Sequence, residues 1–78
     1  MNNEITIIKT IADYLGLAPE DLDRHSSLRD DLNLGPIEIN DLLADLASKF
    51  NITFESDEVE NLLKVEDLII LIEDNLID

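Results

Sequence analysis

Gly35-Pro36-Ile37-Glu38-Ile39-Asn40-Asp41-Leu42-Leu43-Ala44-Asp45-Leu46-Ala47-Ser48-Lys49-Phe50 is the segment from which the rest of this chain can be placed. Proline suits the first position of a helix, where an N–H would lack a partner in any case. Behind it Ile39, Leu42, Leu43, Leu46, Ala47 and Phe50 return at steps of three and four residues, the spacing of one helical face. Glu38, Asp41 and Asp45 follow the same steps on a different stripe. The segment therefore predicts a helix opening at Gly35-Pro36, apolar inside and acidic outside.

Working outward, Asn51-Ile52-Thr53-Phe54 interrupts the pattern with β-branched residues and alternating polarity. Four residues are too few for a stable sheet element, so an extended link with Ile52 and Phe54 turned inward is expected. Ser56-Asp57-Glu58 then reads as the cap of a short third helix carrying Val59, Leu62 and Leu63. A fourth helix is expected from Val65, with Glu66 and Asp67 in its first turn and Leu68, Ile69, Leu71, Ile72 and Leu76 buried. Toward the N-terminus, Ile5, Ile8, Ile11, Ala12 and Leu15 predict a first helix over residues 3–15, capped by Asn2 or Asn3 and ended by Gly16. Pro19-Glu20-Asp21-Leu22 suits one short turn. The loop that follows is studded with Leu22, Leu28, Leu32 and Leu34, which reads as a connection pinned across the helices. The expected fold class is all-α: a four-helix bundle with a short third helix and a long ordered loop between helices 1 and 2. Ile8, Ile11, Leu15, Leu42, Leu46, Phe50, Ile69 and Ile72 are its expected core.

Seventy-eight residues suit one domain spanning 1–78. Its apolar residues, 45 % of the total, are mostly Leu and Ile, material for helix rather than sheet. The chain contains no cysteine and a single histidine, His25, which excludes disulfides and makes a zinc site improbable. Five basic residues against nineteen acidic ones give a net charge of −14. Such a chain repels nucleic acid and anionic membrane surfaces, and is steered toward basic partners. The same charge also serves simply to keep a small domain soluble. No run approaches the ~20 apolar residues of a membrane span. Met1-Asn2-Asn3-Glu4 has no basic region leading into a signal sequence, so a cytoplasmic monomer is expected.

Several pieces, taken in order, resemble an acyl carrier protein. Tyr14-Leu15-Gly16-Leu17 is similar to the exit of that family's first helix, and Leu28-Arg29-Asp30-Asp31-Leu32 to the approach to its modification site. Phe50-Asn51-Ile52-Thr53-Phe54 matches the break after its second helix, and Lys64-Val65-Glu66-Asp67-Leu68 the start of its last. The resemblance covers essentially the whole chain. It implies an Asp-Ser-Leu triplet at the start of the second helix, whose serine carries 4′-phosphopantetheine. Continued without a gap, the match lays Gly35-Pro36-Ile37 over that triplet. Ile37 stands for the leucine, Gly35 replaces the acid and Pro36 replaces the serine. Proline has no hydroxyl, so 4′-phosphopantetheine is not expected here. Ser26, Ser27, Ser48 and Ser56 lack the surrounding motif.

In the family, acids along the second helix dock on basic patches of the enzymes that load and process the acyl chain. The resemblance implies the same partner-binding role for Glu38, Asp41 and Asp45, with Ile37 beside them, although a merely solvated face has the same composition. Other chemistry finds little support. The Asp30-Asp31-Leu32-Asn33-Leu34-Gly35 run lacks the glycine and glutamate positions of a calcium loop. His25 lies in a polar run and reads as a solvated loop residue. No carboxylate pair comes with a nucleophile and a base, so an enzyme is not expected. Two functions remain: an arm-free acidic interaction module, linked to fatty-acid or polyketide metabolism, or a carrier working irregularly, through another residue or by noncovalent lipid binding.

Overall fold

Pro36 begins the longest helix among the described residues. The computed structural model describes residues 3–76. Its elements are α1 (Asn3–Leu15), a 3-10 turn (Pro19–Asp21), α2 (Pro36–Phe50), α3 (Ser56–Glu60) and α4 (Val65–Asn75). The architecture is the expected all-α one, with a short third helix and a long ordered connection between α1 and α2.

Helix ends follow from individual residues. Gly16 takes φ +73°, the left-handed conformation that lets the chain leave α1 without a Cβ clash. The Leu17 N–H then donates to the Ala12 carbonyl at 2.9 Å and Gly16 to Asp13 at 3.3 Å, the paired bonds of a Schellman end. Gly35, extended at φ −84° and ψ 176°, precedes Pro36, and its N–H donates to Glu38 Oε1 at 2.8 Å. That is the reach-back half of a capping box; glycine has no side chain for the other half. Asn51, at φ 56°, ends α2 in the left-handed region that asparagine tolerates.

Two sequence expectations need correction. Ser56 is the first residue of α3, not its cap: Glu55 precedes the helix, and its N–H donates to Glu58 Oε1 at 2.9 Å. Because α3 stops at Glu60, Leu62 and Leu63 belong to the link before α4. Asn2, one of the two residues expected to cap α1, lies outside the described residues, and Asn3 is already helical.

The core comprises Ile7 and Ile11 from α1, Leu42 and Leu46 from α2, Val65, Leu68, Ile69 and Ile72 from α4, and Leu28 from the loop, each at most 1 % exposed. Expected members Ile8, Leu15 and Phe50 are only half-buried, packing against this cluster. The phase of α1 also differs. Its inner stripe runs through Ile7 and Ile11, while Ile5 is 58 % exposed. Glu4 takes the N-terminal end of the inner side, 28 % exposed and ion-paired with Arg24. Accordingly Ile7→Val should cost about 0.5–1.5 kcal/mol. Ile5→Val should stay within about 0.5 kcal/mol. Urea unfolding of the two variants measures the difference, and equal losses would mean that α1 is rotated from this arrangement.

The α1–α2 connection is tied to the start of α4. Ser27 and Lys64 form an isolated antiparallel bridge. Around it the Leu28 N–H donates to the Leu63 carbonyl at 2.9 Å, Val65 to Ser26 at 3.0 Å and Glu66 to Arg24 at 2.8 Å. Leu22 and Leu28 are buried beneath this clasp, and Leu32 and Leu34 are half-buried against the core. The loop leucines are anchors, as their spacing suggests.

Candidate functional site

The start of α2 is built from the cap outward. Extended Gly35 and the fixed ring of Pro36 set the direction in which the helix leaves the loop. Pro36 is exposed, and Ile37 after it is 71 % exposed, the most exposed large apolar side chain among the described residues. At the first helical position there is a ring and no hydroxyl.

The three acids expected to act together do so unequally. Glu38 is exposed but accepts the Gly35 N–H, so part of its hydrogen-bonding capacity serves the helix start. Asp45 is partly covered, with 29 % of its side chain exposed, and pairs with Lys49 Nζ at 3.1 Å one turn on. Asp41 is exposed and has neither a hydrogen bond nor an ion pair from its side chain among the described residues. The negative potential of this face therefore centres on Asp41 and Glu38, with Asp45 partly neutralised.

Sequence reasoning missed a groove of about 400 Å³ beside Pro36. It runs between the first turns of α2 and the α3 region, with Ile39, Val59, Leu62 and Leu63 as its apolar lining. Arg29 and Glu60 also line it. The only early signal was the apolar Val59-Leu62-Leu63 group, which reads as core until α3 is seen to stop short and leave Leu63 68 % exposed.

The remaining candidates lie elsewhere. The Ser27 hydroxyl accepts the Asp30 N–H at 3.1 Å inside the loop, Ser48 is exposed near the end of α2, and Ser56 opens α3. His25 is 71 % exposed at its side chain, with Nδ1 3.6 Å from Glu66 Oε2. Among the described residues no group of three His, Asp or Glu side chains is placed to hold a metal ion, and no helix is long and apolar enough to cross a membrane.

So many carboxylates on a domain with a Cα radius of gyration of 11.5 Å repel one another. Raising ionic strength from about 0.01 to 0.15 M shortens the screening length from roughly 30 to 8 Å. Thermal stability should rise over that range by about 4–8 °C, the equivalent of ~1 kcal/mol in a domain of this size. A melting temperature flat in salt would show that the acids are spaced widely enough not to interact.

Comparison with known proteins gives this surface a context. The family described as "Phosphopantetheine attachment site" matches residues 6–72. The acyl carrier protein of Exiguobacterium sibiricum is 36 % identical over 69 residues, covering 88 % of this chain and 87 % of the relative. That of Chlamydia trachomatis serovar L2 is 33 % identical over 75 residues, covering 96 % and 97 %. The crystal structure of an acyl carrier protein from Thermotoga maritima superposes with a TM-score of 0.74 at 22 % identity, over 91 % of this chain and 82 % of that one, and shares the fold. The chain belongs to the acyl carrier protein family. Proteins of this family are carriers rather than enzymes.

Proposed function

We propose that this chain is an arm-free member of its family, an acidic interaction module that docks the outer face of α2 on a basic patch of a partner protein. The observation that carries the reading is Pro36, a proline at the first position of α2, which the gap-free resemblance lays over the family's attachment serine. The residues there do not fit 4′-phosphopantetheine, since a phosphodiester needs a hydroxyl and Pro36 and Gly35 offer none. The fold loses nothing by this, because the first turn has no use for the missing N–H. What remains at that end of the helix is exposed Ile37 with Glu38, Asp41 and, more weakly, Asp45. Exposed charges of this kind chiefly raise the rate of encounter and fix orientation.

The partner is a protein with a basic surface, of the kind found among enzymes of fatty-acid or polyketide metabolism, meeting a monomeric cytoplasmic module. Intact mass spectrometry after incubation with coenzyme A and a phosphopantetheinyl transferase tests the arm-free half of this reading. The native chain should keep its mass. A gain would establish the irregular carrier instead, and mapping the adduct to Ser26, Ser27, Ser48 or Ser56 would name its site.

A further inference from the structure

A second recess, of about 230 Å³, opens between α3 and α4, and no residue of α2 lines it. We infer that it seats one lysine or arginine side chain of a partner protein, with the apolar stem along the recess and the charged head at Asp74. The surface is separate from the α2 face of the docking reading and does not depend on it. Leu62, Ile70 and Leu71 form its apolar lining. Leu71 is only 9 % exposed, whereas Ile70 beside it is 49 % exposed, so the bare apolar surface here is chiefly Ile70. Glu58, Asp67 and Asp74 complete the surround, and no cation lines it. On α4 the steps from Asp67 through Ile70 and Leu71 to Asp74 are three and four residues. They put an acid at either end of the apolar pair, the two about 10 Å apart along the helix axis.

The three acids differ in what they can offer a visitor. Asp67 Oδ2 already accepts the N–H groups of Leu63 and Lys64, and Glu58 Oε1 accepts that of Glu55. Asp74 is exposed, and its side chain has neither a hydrogen bond nor an ion pair among the described residues. A positive head therefore belongs at Asp74, with the other two carboxylates adding to the potential. Lysine and arginine suit such a place because their methylene stems cover apolar surface while the head stays in polar surroundings.

Other occupants fit worse. An anionic amphiphile meets three carboxylates and no counter-charge, on a chain whose net charge is −14. A metal ion lacks a ligand set, since among the described residues no three His, Asp or Glu side chains are placed to hold one. A second copy of this chain brings nineteen acids against five basic residues, so it is repelled on approach. A basic segment of another protein gains from the same field and needs only the depth of one side chain.

The test pans random twelve-residue peptides displayed on phage against the native chain, after counter-selection on Asp74→Lys. That change lies at an exposed site near the C-terminus of α4, where a cation suits the helix. Enriched peptides should share a Lys or Arg and, in NMR titrations, shift the methyl groups of Leu62, Ile70 and Leu71. Replacing that residue by norleucine keeps the stem, removes the charge and should weaken binding about threefold at low salt. Replacing it by 2,3-diaminopropionate keeps the charge, shortens the stem and should weaken binding about tenfold. Ile70→Gln should keep the circular dichroism spectrum and lose a similar factor, while Asp41→Lys should change affinity less than Asp74→Lys does. Norleucine peptides that bind as well as their parents would overturn the inference, because the cation would then not be recognised. Shortened peptides that bind as well would also overturn it, because the recess would then be unused. Equal losses from Asp41→Lys and Asp74→Lys would replace the site by a general effect of net charge. Should no peptide enrich, the inference fails, and spermidine shifting the same methyl groups would assign the recess to polyamines.

Discussion

The double variant Gly35→Asp/Pro36→Ser should become phosphopantetheinylated by a transferase that leaves the native chain unchanged. Restoring the triplet places a hydroxyl on the first turn of α2, beside exposed Ile37. The structural penalty is small. Pro36→Ser loosens the unfolded chain and costs about 0.4–1 kcal/mol. A Cβ at Gly35 would come within 2.6 Å of Glu38 Oε1, the mobile end of a long side chain that can swing aside. The carboxylate introduced by Gly35→Asp would then cap α2 directly, which returns a few tenths of a kcal/mol. Intact mass reads the outcome directly. Modification of the double variant alone would show that the surface read by the transferase has outlived its target. An unmodified double variant, shown folded by circular dichroism, would mean that the divergence extends beyond these two residues.

Leu28→Ala should rank with the most damaging truncations although the residue sits in a loop, at about 2–5 kcal/mol. Against a total stability of roughly 5–15 kcal/mol for a domain, that leaves a large unfolded fraction at moderate temperature. Leu28 is 1 % exposed, and its N–H donates to Leu63, so it joins the loop to the start of α4 by side chain and backbone together. Leu32→Ala, at a half-buried anchor, should cost clearly less. Urea denaturation compares the two, and hydrogen exchange at the Val65 and Glu66 amides reports whether the clasp opens first. If both leucines cost the same, the loop is held by general burial and not by the Leu28 junction.

Much of this was legible in the sequence because helix signals are local. Gly35-Pro36 and the Ile39-to-Phe50 spacing fix α2, and Gly16 ends α1 as expected. The phase of α1 was ambiguous because Ile5, Ile7 and Ile8 offer overlapping stripes. The choice of Ile7 is made by packing against the other helices and by the Glu4–Arg24 pair, which no local spacing records. The clasp was equally hidden, since it joins backbone groups of residues 24–28 to those of 63–66. The acidic stripe was visible as a pattern, but not its unevenness: Asp45 pairs with Lys49, Glu38 caps its own helix, and Asp41 is left facing solvent. The groove escaped notice because Leu63 follows an apolar helical pattern that the chain abandons at Glu60.

The backbone around Leu63 has a further consequence. Its carbonyl accepts the Leu28 N–H, and its own N–H and that of Lys64 both donate to Asp67 Oδ2, at 3.1 and 3.0 Å. The side chain is thus bare while the main chain beneath it is fastened on both sides. Such a residue behaves as a rigid post: a visitor closing over it immobilises only a few side-chain torsions, so little ordering entropy is spent on contact. Cutting the Asp67 tether, with Asp67→Ala, would leave the same atoms at the same surface but make them a softer landing place.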